Sequence, residues 1–381
     1  MYFWLCHDFL RTYRKRGDRV IVLDIVGDFV SEFYREGKDH LFNPYDARSK
    51  KWHPWCECME DYHYQQLATI QIPDHPRSEN NYFYQAARSV LVAAMKKKKR
   101  EGDLKNTALF HWLSTESMEQ LAQDLAETPA AVYLDPKGER TTHSIRTTLI
   151  NALRGFEVFQ NTDDPFSLRE WMIAPEKPDE WVFLSSTTEQ RDQLKVLLSI
   201  WVSIAINALK ARDPSADNQR TWIIIDELHA LQKLDPLAGA LAEVRKYNGC
   251  LAIATQNFSQ LDKLYGRDET SSMIDCCGTK VCFRQGDASI ARRMSDLFGK
   301  REVREIQKGK SWGANTMGDR ESKSEIEREK YTVSPSWILS LPNRAAYIKL
   351  PGGFPATKVK FDYLPLEKKT PSYLPRYKIK S

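Results

Sequence analysis

The stretch Trp222-Ile223-Ile224-Ile225-Asp226-Glu227 decides how this chain is read. Four apolar residues, three of them β-branched, suit a strand covered on both faces of a sheet. The run then stops at two carboxylates. In open α/β sheets, ligands gather beyond the carboxyl ends of the strands, so these acids stand where chemistry is done. This is the Walker B pattern: Asp226 is a candidate to hold Mg²⁺ through water, and Glu227 to polarise an attacking water. A buried strand that merely runs into an acidic turn would show the same six residues, so the surroundings must decide.

Downstream, Leu237 to Gly249 reads as a helix, with Asn248-Gly249 as its stop. The next strand, Leu251-Ala252-Ile253-Ala254, ends at Thr255-Gln256. Gln256 therefore tips the strand beside the acidic one, where an amide can sense a γ-phosphate or orient water. Arg245, at the helix end, is placed either to complement the helix dipole or to reach a neighbouring subunit as an arginine finger.

Four more apolar runs read as strands: Arg19 to Asp24, Trp181 to Ser185, Lys280 to Phe283 and Ala346 to Leu350. Such runs, alternating with helical patterns, define an α/β protein with a predominantly parallel sheet. Between the first two strands the period changes. Phe83, Ala87, Val90, Leu91 and Ala94 share a face. So do Leu109 and Leu113, Leu121 and Leu125, and then Ile145, Leu149, Leu153 and Phe156. The expected organisation is the start of a nucleotide-binding domain over 1–56, an inserted all-α domain over 57–157, the rest of the first domain over 158–365, and a basic tail over 366–381. Lys300 to Tyr331, polar and charged, reads as a mobile loop.

Bulk properties narrow the field only slightly. With 381 residues, 41% hydrophobic and 28% charged, the chain has the composition of a globular protein. A net charge of +5 permits contact with nucleic acid or a membrane surface without demanding it. The run Lys96 to Arg100 reads as a solvated helix end, with a DNA-tracking patch as its alternative. His7 and Asp8 interrupt the apolar opening, so no secretory signal is expected. No apolar run reaches the ~18 residues of a membrane span, and Val196 to Leu209 reads as a buried helix. Seven cysteines show no disulfide framework, which suits a reducing cytoplasm. His53, Cys56, Cys58 and His63 have poor spacing for structural zinc. Cys276-Cys277 reads as a pair of small packed side chains.

Taken together, Ile223 to Leu261, Tyr265-Gly266, Gly278 to Arg284 and Leu350 to Pro355 resemble the TraD/TraG coupling proteins of conjugative type IV secretion. Upstream, Arg16 to Phe29 and Leu41 to Arg48 continue the likeness, which spans about residues 10 to 365. The resemblance implies a RecA-like P-loop NTPase core with an inserted helical domain. It implies a hexameric DNA-translocating ATPase at the cytoplasmic face of the bacterial inner membrane, using ATP and Mg²⁺. The implied partners are the relaxase or relaxosome with its single-stranded DNA, and the channel ATPase and inner-membrane components of the secretion system. By position, Asp226 and Glu227 match the family's Walker B pair, Arg245 the arginine that reaches the adjacent nucleotide, and Gln256 the glutamine near the γ-phosphate. In the inserted helices, Lys105, Arg140, Arg146 and Arg154 are candidates for phosphate contact with DNA.

The sequence departs from that family in one respect. No Gly-x-x-x-x-Gly-Lys-Ser/Thr spacing occurs in it. Gly309-Lys310-Ser311 ends like one, but Arg304 stands where the first glycine belongs. Phe9 to Gly17 match the end of the helix that follows the phosphate loop, so the first strand, the Walker A loop and the membrane helices are expected to be missing. Autonomous ATPase activity is then not expected. Two alternatives follow: a non-hydrolysing fragment that binds DNA or relaxase, or an FtsK-class DNA translocase.

Overall fold

The computed structural model describes residues 3–73, 81–134, 139–156, 158–159, 161–174, 179–216, 219–311, 320–363, 365 and 367–376, without the side chains of 3–4, 139–140, 307–311 and 320–324. The chain forms two compact units. One comprises residues 7–274 with 366–381, the other 275–365 with 1–6.

The first unit is organised by a five-stranded, all-parallel sheet in the order β2-β3-β1-β4-β5. Its strands are β1 (Arg19–Asp24), β2 (His40–Phe42), β3 (Trp181–Ser185), β4 (Thr221–Ile225) and β5 (Gly249–Ile253). The centre is β1, paired with β3 from Val20↔Trp181 to Asp24↔Ser185 and with β4 from Arg19↔Thr221 to Leu23↔Ile225. All six of its residues are buried, which explains why its apolar run is unbroken. The sequence run at 251–256 lies two residues late, because β5 begins at the helix stop itself. The edge strand β2 has only three residues, too few for a period to show.

Two helices flank β1: α1 (Phe3–Arg16) before it and α2 (Asp28–Phe33) after it. Between β2 and β3 the described chain is helical: α3 (Asp61–Gln71), α4 (Asn81–Glu101), α5 (Asn106–Thr115), α6 (Met118–Asp124), α7 (Glu139–Leu153) and α8 (Leu168–Ile173), with short 3₁₀ turns at Pro54–Glu57 and Pro129–Tyr133. The predicted stripes face inward. Ala87, Val90, Leu91 and Ala94 of α4 are fully buried, as are Leu109, Leu125, Ile145 and Leu153. Then α9 (Arg191–Lys210) packs on β1, β3, α3 and α8. It is long and apolar enough to cross a membrane, yet most of it is buried here, Leu197 and Ile200 to Ile206 included. Trp201 of α9 meets Trp52 and Phe159 edge-on at 5.8 Å, joining the helical region to the core behind the sheet.

Glu57 ties the two ends of that helical excursion together. Its carboxylate accepts from Trp52 Nε1, Leu168 N and Arg169 N, each at 2.9 Å, and from Ser167 Oγ at 3.2 Å. Arg169 Nε returns a bond to the Glu57 carbonyl at 2.9 Å. Burial pushes the Glu57 carboxyl upward, against the pull of these donors.

The predicted basic tail has a structural task. Residues 369–376 return to α2 and to the loop after β2: Lys369 N donates to Ser31 O of α2 at 2.8 Å, and, in the loop, Ala47 N donates to Leu374 O at 2.8 Å and Arg376 N to Tyr45 O at 2.9 Å. Arg48 clasps it through Pro371 O at 2.9 Å. Gly27 (φ +89°) makes room for it, since a Cβ there would lie 2.9 Å from the Ser372 Cβ.

The second unit corrects three expectations. The strands β6 (Lys280–Phe283) and β9 (Ala345–Lys349) do not extend the parallel sheet. They pair antiparallel with each other and, through β9, with β10 (Thr357–Lys360). Here Cys282 packs with Ala291, Phe298, Val333 and Ile338, and burial pushes its thiol up to about 12. Cys276 is exposed rather than packed. The expected loop after Lys300 is a ribbon of β7 (Lys300–Ser311) and β8 (Arg320–Tyr331), paired over twelve positions. Neither face of the described half is buried in a core, so no apolar alternation marks it in the sequence.

Two variants test this framework. Glu57→Ala leaves several buried donors unsatisfied and lowers unfolding stability by roughly 3–5 kcal/mol, with Glu57→Gln intermediate, measured by chemical denaturation. Gly27→Ala lowers stability by about 1–2 kcal/mol or more and exposes residues 367–376 to limited proteolysis.

Candidate functional site

The carboxyl end of the parallel sheet collects the polar tips. Ile225 pairs with Ile253, so the residues that follow on β4 and β5 emerge side by side. Two backbone bonds, Ala254 N to Ile225 O at 2.8 Å and Leu228 N to Ala254 O at 3.1 Å, carry the pairing past the strand ends. Asp226 is half-buried, Glu227 buried and Gln256 exposed. The sheet thus brings Asp226, Glu227 and Gln256 to one edge.

Glu227 is held by its neighbours. Its Oε1 lies 2.9 Å from His229 Nε2, on the 3₁₀ turn Leu228–Ala230. Its Oε2 lies 3.9 Å from the Arg191 guanidinium, at the start of α9. Neither residue stands out in the sequence, since both come to Glu227 through the turn and the sheet.

Arg245 lies elsewhere. The helix after β4, α10 (Asp235–Glu243), tightens into a 3₁₀ turn at Val244–Tyr247, and Asn248 closes it in the left-handed conformation at φ 55°. Arg245 is exposed there, before the first residue of β5. Gln256 follows the last. A five-residue strand separates them, roughly 16 Å, so one chain does not bring Arg245 to the acidic edge.

The loop after β1 was not read from the sequence as part of this edge. Asp24 ends the strand, fully buried, and accepts from Gly27 N at 2.7 Å, Val30 N at 2.8 Å and Val26 N at 3.3 Å. A strand–loop–helix unit at a sheet edge is the usual setting of a phosphate cradle, where such N–H groups face the ligand. Here the loop's own carboxylate takes them. The other described loops after β3, β4 and β5 contain no glycine. The residue set therefore fits the metal-and-water half of a nucleotide site at Asp226 and Glu227, and does not fit the phosphate half.

Of the candidate DNA contacts, Lys105 and Arg154 are exposed. Arg146 is engaged internally, its guanidinium donating to the carbonyls of Leu113, at 3.2 Å, and Glu116. The Arg140 side chain lies outside the described residues. The Lys96 to Arg100 run ends α4 and is largely paired: Lys96 with Asp61 at 2.6 Å, Lys97 and Lys98 with Glu101 at 3.1 Å. In the Cys-His group, His53 Nδ1 accepts from Cys56 N and His63 Nδ1 from Glu60 N, as local caps.

Residues 5–362 match the family model described as the type IV secretion-system coupling protein DNA-binding domain. This chain belongs to that family. Coupling protein TraD of Escherichia coli (strain K12) is 32% identical over 368 residues, 95% of this chain and 51% of TraD. The chain thus spans about half the length of that curated relative. Among solved structures, the unbound monoclinic form of the bacterial conjugative coupling protein TrwBdeltaN70 superposes with a TM-score of 0.86 at 27% identity, covering 97% of this chain and 84% of TrwBdeltaN70. The plasmid coupling protein TrwB in complex with ADP and Mg²⁺ gives 0.85 at 27%, with the same coverage. The coupling-protein match also supports the RecA-like P-loop NTPase fold.

Burial pushes the Asp24 carboxyl up to about 6 from its ordinary 3.8. Folding therefore takes up a proton between these values. The associated stability is full below pH ~4 and is lost as the pH rises through ~6, by up to ~3 kcal/mol. Asp24→Asn flattens this pH dependence, checked by denaturant melts across the window.

Proposed function

We propose that this chain is the DNA-handling portion of a conjugative coupling protein, acting at the cytoplasmic face of the inner membrane. It docks the relaxase with its single-stranded DNA for a type IV secretion channel, and it assembles as a homo-oligomer, a hexamer by family precedent. The observation that carries this reading is the convergence of Asp226, Glu227 and Gln256 on one sheet edge, in a chain that matches the coupling-protein family over residues 5–362. In this reading Asp226 holds Mg²⁺ through water, Glu227 orients and polarises water, Gln256 senses the terminal phosphate, and Arg245 serves the site of a neighbouring copy. ATP supplies the energy when bound; Asp226 and Glu227 are this chain's own contribution to its site. The helices over 57–157 form a separate substrate-facing lobe, on which Lys105 and Arg154 offer cations to DNA phosphates.

A second reading is favoured by the Asp24 loop. Its amides are already satisfied, so the chain by itself binds DNA or relaxase without hydrolysis. An FtsK-class translocase is disfavoured by the coupling-protein match along nearly the whole chain.

Titrating the chain with Mg·ATP, and separately with labelled single-stranded DNA over a salt series, distinguishes these readings. Salt-sensitive DNA binding without ATP retention supports the non-hydrolysing form. ATP hydrolysis that Glu227→Gln abolishes establishes the motor. Lys105→Glu with Arg154→Glu is expected to weaken DNA binding several-fold at low salt and to reduce the salt slope by about 2. Unchanged anisotropy curves would remove the helical region from the DNA path.

A further inference from the structure

The chain's basic excess lies in one unit. Residues 275–365 carry 17 Lys and Arg against 11 Asp and Glu, a net charge of +6, while the whole chain has only +5. The remainder is therefore close to neutral, and the second unit is where a polyanion would be met. Within it, the β7–β8 ribbon gathers cations on one face. Side chains alternate along a strand, and directly paired residues share a face. By register, one face balances five cations against five carboxylates. The other carries Arg301, Arg320, Arg328 and Lys330 against Glu305 alone.

This arrangement opposes the ribbon's own stability. Arg301 sits directly across from Lys330, and like charges directly opposite each other destabilise a strand pair. Arg328, opposite Val303, adds a third cation at the diagonal position, about 7–8 Å from Arg301. Lys330 reaches Glu305. Arg301 and Arg328 are exposed and, among the described residues, have no ion-pair partner. A two-stranded ribbon is marginal in water by itself. A polyanion laid across these cations turns their repulsion into attraction.

We infer that this face of the ribbon is a docking site for duplex DNA. The major groove of B-DNA, about 12 Å wide, admits a two-stranded β-ribbon. The ribbon's twelve paired positions extend over about 40 Å, comparable to one helical turn of ~34 Å. The planar fork of arginine suits phosphate oxygens. Beside its charges the face carries only Val303, Ile326, glycine, serine and glutamine, with no aromatic residue. Binding of a single strand relies on aromatic platforms for its bases. The cores of protein interfaces are depleted in charge and enriched in aromatic residues. A basic face without aromatics therefore matches the phosphate backbone of a duplex better than either. The inference rests on the DNA-handling reading above. It adds a second surface, in a different unit from Lys105 and Arg154, for double-stranded rather than single-stranded DNA.

The test is fluorescence anisotropy of the full chain with a labelled duplex and with one of its single strands, each over a salt series. Arg301→Gln with Arg328→Gln removes two exposed cations and their repulsion of Lys330, so the fold is retained. It is expected to weaken duplex binding about tenfold at low salt and to reduce the salt slope by about 2. Single-strand binding should change less than ~twofold. Arg301→Lys with Arg328→Lys keeps both charges and should keep the slope. Duplex binding that the Gln variant leaves unchanged, a loss shared equally by duplex and single strand, or a Lys variant that behaves like the Gln variant would overturn the inference. So would a Gln variant that changes only retention on phosphatidylglycerol vesicles, which would assign the face to an anionic membrane surface. A chain that binds the single strand but no duplex overturns this inference and leaves the DNA-handling reading intact. A chain that binds neither overturns both.

Discussion

The Glu57 carboxylate is the constraint on which the first unit depends. The chain leaves the sheet after β2 and returns at β3 some 140 residues later, so closing that excursion carries an entropic penalty. Glu57 offsets it at the point where outgoing and returning segments meet. It takes four N–H and O–H donors, three of them from Ser167 to Arg169, at the start of the short helix that leads back toward β3. A buried carboxylate is unfavourable without partners, but four donors leave it few alternatives in geometry. The insertion can therefore carry its six described helices while β3 keeps its register on β1.

The central sheet was legible because its strands are covered on both faces, which makes apolar runs such as Val20 to Leu23 and Ile223 to Ile225 unmistakable. The helical region was legible because one stripe per helix faces inward. What stayed hidden lacks either signal. β2 is too short to show a period. The β7–β8 ribbon alternates between two polar faces. The antiparallel pairing of β6 with β9 is invisible because an apolar run does not record the direction of its neighbour. The tail after residue 366 looked like a solvated basic end because its attachments run mostly through backbone groups and through Arg48, far away in sequence.

The candidate site divides along the same line. Asp226, Glu227 and Gln256 were readable because each follows a strand whose end the hydrophobicity marks. His229 and Arg191 were not, since their meeting with Glu227 depends on a turn and on the start of α9. Asp24 was recognised as a strand end but not as a ligand for its own loop. Two neighbouring strand ends of one sheet thus have different characters: β4 is followed by a half-buried Asp226 and a buried Glu227 held by His229 and Arg191, while β1 turns its carboxylate inward and closes its loop around it.

The burial of α9 has a consequence for how the chain is made. The helix has the length and apolar character by which an insertion machinery recognises a membrane segment. Synthesis is vectorial, and domains fold as the chain emerges. Of the elements packed closely on α9, β1, α3, α8 and β3 precede it in the chain, and α10 and the 3₁₀ turn before β5 follow it. The order of elements therefore lets this segment emerge beside part of the surface that covers its apolar side. A permuted gene that placed α9 ahead of those elements would encode the same fold, yet would expose a membrane-like segment to the cell before its cover existed.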